Sequence, residues 1–162
     1  MPVFYVDTSA LVKRYRTEQG TGVVEALLSD LLPEDRLFLS FLSVIELTSG
    51  ILRLARGRQL REETASEILA RFRGDIRTLF KIWPLNEEVA ADALSTVEEH
   101  RLRSADAIHL ATAHKIASLV SGTTVVMVSS DQELLDAAHA TGIAILDPRA
   151  PGSLEKLKEL RA

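Results

Sequence analysis

Val3-Phe4-Tyr5-Val6-Asp7-Thr8-Ser9-Ala10-Leu11 begins with four apolar, β-favouring residues that run straight into an acid and two hydroxyls. An apolar run without polar alternation predicts a strand buried on both faces. The acid and hydroxyls that stop it are residues of a helix start. The same sequence of types returns where Thr124-Val125-Val126-Met127-Val128 meets Ser129-Ser130-Asp131. Three further strands are expected at Leu37-Phe38-Leu39-Ser40, Ile82-Trp83-Pro84-Leu85 and Ile143-Ala144-Ile145-Leu146. Pro84 assigns the second of these to a sheet edge. Apolar residues at three- and four-residue spacing predict helices over 8–16, 21–30, 43–56, 61–80, 86–99, 104–118 and 131–140, with Gly57 ending the third. Strands that alternate with helices and are apolar throughout predict one α/β domain, a central parallel β-sheet flanked by helices on both faces. The domain is read as residues 1–148. Residues 149–162 form a C-terminal extension whose Leu154, Leu157 and Leu160 predict a short helix packed on the same domain.

Composition agrees with a single soluble domain. The chain has 162 residues, 46% of them apolar and 26% charged. It contains no cysteine, which excludes disulfides, thiolate metal sites and cysteine nucleophiles and fits a reducing cytoplasm. No apolar run approaches the ~18 residues of a membrane helix, and the first residues carry no basic leader, so a cytoplasmic protein with no membrane partner is expected. The net charge of −4 excludes an overall basic field for nucleic acid. Residues 51–80 nevertheless hold seven arginines against four acids. That segment reads either as a phosphate-binding surface, with Arg56 and Arg73 as candidate RNA contacts, or as a solvated helical hairpin.

The acids carry the chemistry. Sites in open α/β sheets form outside the carboxyl ends of the strands. Asp7 follows the first strand directly, and Asp131 follows the strand over 124–128 after Ser129-Ser130. Glu46 falls in the first turn of the helix from Ser43, and Asp106 in the first turn of the helix over 104–118. Each alone is a residue favoured at helix starts. Ser43…Glu46 and Ser130…Glu133 fit capping boxes, Ser104 is placed as a cap, and Asp7 is itself a possible N-cap. Four such starts at one sheet edge would bring four carboxylates together, where like charges raise one another's pKa. A hard divalent cation, Mg²⁺ or Mn²⁺, resolves that conflict. The chemistry this suits is phosphoryl displacement by a metal-activated water. On this view Asp7→Asn and Asp106→Asn should each leave metal-free stability unchanged or raise it.

Tyr5-Val6-Asp7-Thr8-Ser9-Ala10-Leu11-Val12-Lys13, Ser43-Val44-Ile45-Glu46-Leu47, Leu102-Arg103-Ser104-Ala105-Asp106-Ala107-Ile108-His109-Leu110-Ala111-Thr112-Ala113 and Val128-Ser129-Ser130-Asp131-Gln132-Glu133-Leu134 resemble the successive motifs of PIN-domain ribonucleases. Within that family they are most similar to the VapC toxins of type II toxin–antitoxin systems. The resemblance spans residues 3–148. It implies a Mg²⁺- or Mn²⁺-dependent endoribonuclease, with Asp7, Glu46, Asp106 and Asp131 as catalytic and metal-binding acids. It also implies a VapB-like antitoxin on a separate chain, an RNA substrate and a homodimer. Thr8 or Ser9 is expected to orient Asp7 through a hydroxyl, and Ser130 joins this supporting set. Lys13 matches a frequent lysine of these toxins and is either an RNA-phosphate contact or a surface lysine lying along apolar neighbours.

Other candidates rank lower. His109 lies in an apolar block one turn beyond Asp106 and reads as a packed, hydrogen-bonded histidine. His100, His114 and His139 have no ligand spacing, which argues against zinc. Asp92 falls mid-helix and reads as solvated. Gly20-Thr21-Gly22 lacks the rest of a dinucleotide loop. The competing functions are a catalytically inactive PIN-fold binding protein and a PIN nuclease acting on structured DNA. A phospho-accepting receiver domain would need paired acids where Asp7-Thr8 stands.

Overall fold

The computed structural model describes residues 2–33 and 35–162. Five strands are present: β1 (Val3–Val6), β2 (Arg36–Ser40), β3 (Phe80–Trp83), β4 (Val125–Val128) and β5 (Ala144–Leu146). The helices are α1 (Thr8–Leu11), α2 (Thr21–Ser29), α3 (Phe41–Arg56), α4 (Glu62–Thr78), α5 (Glu87–His100), α6 (Ser104–Leu119), α7 (Gln132–Ala140) and α8 (Ser153–Arg161). All strand pairs are parallel, in the order β3-β2-β1-β4-β5. The chain builds outward from β1 to β3, then crosses to the other side of β1 for β4 and β5. The strand order therefore reverses between β1 and β4, the position where open α/β sheets place their sites. Asp7 and Asp131 follow those two strands.

Period-2 geometry divides the apolar runs between two cores. Phe4, Val6, Leu37, Leu39, Val126, Val128 and Leu146 face a cluster that includes Leu27 of α2, Leu47 and Ile51 of α3 and Phe72 of α4. Val3, Tyr5, Val125 and Met127 face the other, which includes Val89 of α5, Leu110 and Ile116 of α6 and Leu134 of α7. Both faces are covered, as continuous apolar strands require.

Several boundaries differ from the sequence expectation. The helix expected over 8–16 ends at Leu11, and Val12–Arg14 continue as a 3₁₀ turn. α3 starts at Phe41, because Ser40 at the end of β2 is already its cap, its Oγ accepting from the Leu42 N–H at 3.1 Å. Ser43 is therefore no cap but a buried helical residue, and Glu46 stands in the second turn. Gly57 ends α3 at φ −77°, and the left-handed residue is Arg58. Trp83 ends β3 because Pro84 has no N–H to extend the ladder. Ser104 is the first helical residue of α6, and the capping position belongs to Arg103, whose side chain makes no capping bond. Asp131, not Ser130, caps α7.

α8 closes the sheet edge over α2. Leu157 is buried, and Arg161 pairs with Asp35 at 2.6 Å while its guanidinium lies 5.8 Å from the Phe4 ring centre. Gly20 opens α2 at φ 93°, where a Cβ would come within 2.9 Å of Pro148. Both the backbone conformation and the closeness of the β5 end exclude a side chain there.

Candidate active site

Asp7 sits at the switch point, its backbone N–H donating to the Val128 carbonyl at 2.9 Å. Its Oδ2 accepts from Ser9 Oγ at 2.5 Å and from Ser129 Oγ at 2.8 Å. Ser9 Oγ in turn accepts from the Ser130 N–H at 2.9 Å, and Ser129 Oγ from the Asp131 N–H at 3.0 Å. These bonds tie the end of β1 to the end of β4 through two hydroxyls. Of the two hydroxyls expected beside Asp7, Ser9 is the one bonded to it. Thr8 is not: its hydroxyl donates to Glu46 Oε2 at 2.5 Å, because Glu46 in the second turn of α3 faces the start of α1. The Ser130 hydroxyl does not support an acid either and has no partner, since only the Ser130 backbone points at Ser9. Ser129 takes that role.

His109 of α6 forms the floor. Its Nδ1 is 2.6 Å from the Tyr5 hydroxyl, and its Nε2 is 3.0 Å from Glu46 Oε2 and 3.3 Å from Asp7 Oδ1. The ring is packed and hydrogen-bonded, and those bonds lead into the acids. Burial alone would lower its pKa, but the Asp7 charge and the Glu46 bond raise it. Burial would raise the Glu46 carboxyl, and the His109 and Thr8 bonds instead bring it below its usual range.

Asp106 and Asp131 form the other half. Arg103 spans them, with Nε 3.2 Å from Asp106 Oδ2 and Nη2 2.9 Å from Asp131 Oδ2. Asp131 Oδ1 also accepts from the Leu134 N–H at 3.1 Å, its capping bond. Burial raises the Asp106 carboxyl, and the charges of Asp131 and Asp7 add to this against the pull of Arg103. The four acids therefore share one sheet edge as two pairs, each joined by one nitrogen-bearing side chain. Among the described residues, no three acids or histidines are grouped tightly enough to hold a metal ion as they stand.

A cleft of about 460 Å³ adjoins the acids, lined by Thr8, Ser9, Glu46, Leu47, Arg53 and Gln59 among others. Arg53 is the member of the arginine-rich segment that shares a wall with Glu46. Arg56 lines a separate hollow with Arg58 and Arg61, and Arg73 is exposed on α4. Lys13 is buried rather than on the surface, and its Nζ pairs with Glu18 at 2.7 Å. Asp92 pairs with Lys115 at 3.0 Å. Sequence reasoning gave no site role to Arg103 and Ser129, although Arg103 lies three residues before Asp106, one helical turn away.

The PIN domain family model matches residues 4–140. Ribonuclease VapC45 of Mycobacterium tuberculosis (strain CDC 1551 / Oshkosh) is 30% identical over 155 residues, covering 96% of this chain and 99% of the relative. Ribonuclease VapC49 of Mycobacterium tuberculosis (strain ATCC 25618 / H37Rv) matches with the same identity and coverage. The crystal structure of FitAcB from Neisseria gonorrhoeae has a TM-score of 0.67 and 25% identity, over 90% of this chain and 97% of that one. With its parallel sheet, its switch-point acids and a family match over most of its length, the chain belongs to the PIN-domain family.

Proposed function

We propose that this protein is a VapC-like toxin of a type II toxin–antitoxin system, an endoribonuclease that depends on Mg²⁺ or Mn²⁺. The observation that carries the reading is the gathering of Asp7, Glu46, Asp106 and Asp131 at the carboxyl edge of β1 and β4. Full-length similarity to two VapC ribonucleases supports it.

The donor set fits a hard cation, because all four side chains offer carboxylate oxygens. Burial raises the Asp106 carboxyl first, and the charges of Asp131 and Asp7 add a repulsion that a cation would relieve. Asp7, Glu46, Asp106 and Asp131 would hold the ion. When bound, it lowers the pKa of water and stabilises the departing oxygen. The protein's own contribution is orientation. Ser9 and Ser129 hold Asp7, while Thr8 and His109 hold Glu46.

The reading includes a VapB-like antitoxin as partner, an RNA substrate, a homodimer and a cytoplasmic location. Phe41, Ile45 and Leu52 expose apolar side chains along α3, which supports association. Among the described residues no helix is long and apolar enough to cross a membrane.

The test compares wild type with Asp106→Asn on a set of short labelled RNAs and matched single-stranded DNA, in Mn²⁺, Mg²⁺ or EDTA. Cleavage of RNA that requires the metal and is lost in the variant is the expected result. Cleavage that persists in EDTA or in Asp106→Asn overturns the reading.

A further inference from the structure

The two side chains that join the acid pairs differ in one respect. His109 is enclosed, its side chain 2% exposed, whereas that of Arg103 is 73% exposed. An enclosed ring has nowhere to go. An exposed guanidinium that spans two carboxylates gains little from them, because such surface pairs are weak and screened by salt. Beside Arg103 lies an open cleft of about 510 Å³, lined by Arg103, Ser130, Asp131, Gln132, Glu133 and Arg149. Arg149 is positioned by Asp147, with Nε 3.1 Å from Oδ1 and Nη2 3.0 Å from Oδ2. The cleft is therefore lined by two arginines and shares Asp131 with the acids.

We infer that Arg103 has two working positions. In the cation-free protein it spans Asp106 and Asp131. When a divalent cation takes those oxygens, Arg103 turns into the adjacent cleft and, with Arg149, binds a phosphate of the RNA strand. The guanidinium suits both partners, since carboxylate and phosphate offer it the same paired oxygens. The exchange couples cation binding to substrate binding, because the displaced charge is released into a cleft that Arg149 also lines. This inference rests on the metal-dependent ribonuclease reading.

The test uses the whole chain. RNA-free protein is titrated calorimetrically with Mn²⁺, comparing wild type, Arg103→Gln and Arg103→Lys. Both variants lose the two-pronged bridge and are expected to bind Mn²⁺ about fivefold tighter, the scale of an exposed ion pair. Binding of a phosphorothioate RNA in saturating Mn²⁺ is then followed against salt. Arg103→Gln and Arg149→Gln should each weaken binding and reduce the slope by about 0.7, the value for one single-strand phosphate contact. Arg103→Lys should keep the slope, which separates charge delivery from a general effect on folding. Unchanged Mn²⁺ affinity or an unchanged slope in Arg103→Gln overturns the two-position role and leaves the ribonuclease reading standing. Absence of Mn²⁺ binding by wild type and variants alike overturns both.

Discussion

His109 Nε2 lies 3.0 Å from Glu46 Oε2, so a buried ring on α6 fixes an acid on α3 across the end of the sheet. Asp7 Oδ1 shares the same nitrogen at 3.3 Å. Ionised carboxylates only accept hydrogen bonds, so Nε2 carries the proton. Removing the ring leaves Asp7 and Glu46 without their common donor. His109→Ala is expected to lose about 10- to 100-fold in cation affinity or RNA cleavage, the scale for partners that orient metal ligands. Tyr5→Phe removes only the hydroxyl on Nδ1 and should cost about 1–3 kcal/mol of stability, with a smaller loss of cleavage. Thermal melts with Mn²⁺ titration check both. Wild-type cleavage by His109→Ala would sink the orienting role.

Asp7 and Asp106 separate under neutralisation, which modifies the expectation drawn from the acid cluster alone. Asp106 has its carboxyl raised by burial and by the Asp131 and Asp7 charges. Asp106→Asn removes that repulsion, and its metal-free melting temperature should equal or exceed that of wild type. Asp7 instead accepts from Ser9 and Ser129 and lies beside the His109 nitrogen. An amide cannot accept all of these bonds at once, so Asp7→Asn should lose about 1–3 kcal/mol. Both variants should lose cleavage. A denaturation series at pH 7 in EDTA distinguishes them, and equal gains in stability would contradict this account.

The sheet was legible because its strands are unusually plain. Val3–Val6 and Val125–Val128 are apolar at every position, which only a doubly covered strand tolerates. The acids at the switch point were legible for the same reason: Asp7 ends one such run, and Asp131 follows the other after two serines. Helix starts were less legible where hydroxyls crowd together. Ser40 and Ser43 both qualify as caps, and the choice depends on where β2 stops. Ser129, Ser130 and Asp131 likewise compete for one turn, and the sheet gives Ser129 to Asp7 and the cap to Asp131. Apart from the Arg103–Asp106 pair, the partners of His109 and Arg103 lie on other elements at long separation: Tyr5, Asp7, Glu46 and Asp131. No local pattern specifies those contacts. Lys13 is buried against Glu18 and not a surface lysine, and it lies in a 3₁₀ turn that periodicity does not announce.

Asp75 supplies the pH dependence. Arg14 grips it with Nε at 2.7 Å and Nη2 at 3.2 Å, and the Tyr15 hydroxyl donates at 2.7 Å. These bonds clamp α4 onto the turn that follows α1. Burial would raise the Asp75 carboxyl, but the Arg14 and Tyr15 bonds bring it below its ordinary value. A depressed folded pKa gives stability that is present above the unfolded value near ~4 and is lost as pH falls through the folded one. Asp75→Asn should therefore cost about 3 kcal/mol at pH 7, since it leaves Arg14 half-buried without its charge partner. The gap between variant and wild type should narrow steadily below about pH 4. Urea denaturation at pH 7, 5 and 3 measures it, and a gap constant with pH would rule out the ion pair as the cause.

Arg53 decides whether the arginine-rich segment contacts RNA. It lies seven residues beyond Glu46 on α3, about 10 Å along the axis at 1.5 Å per residue and on the same face. It also lines the cleft that Thr8, Ser9 and Glu46 share. Arg56, about 15 Å from Glu46 on the same scale, lines a different hollow. A strand whose scissile phosphate rests at the acids would pass Arg53 before reaching Arg56 or Arg73. Arg53→Gln should weaken RNA binding and reduce the salt slope by about 0.7, while Arg73→Gln should do neither to a comparable degree. Affinities at four salt concentrations suffice for the comparison. A larger effect at Arg73 would place the RNA path over α4 and away from this cleft.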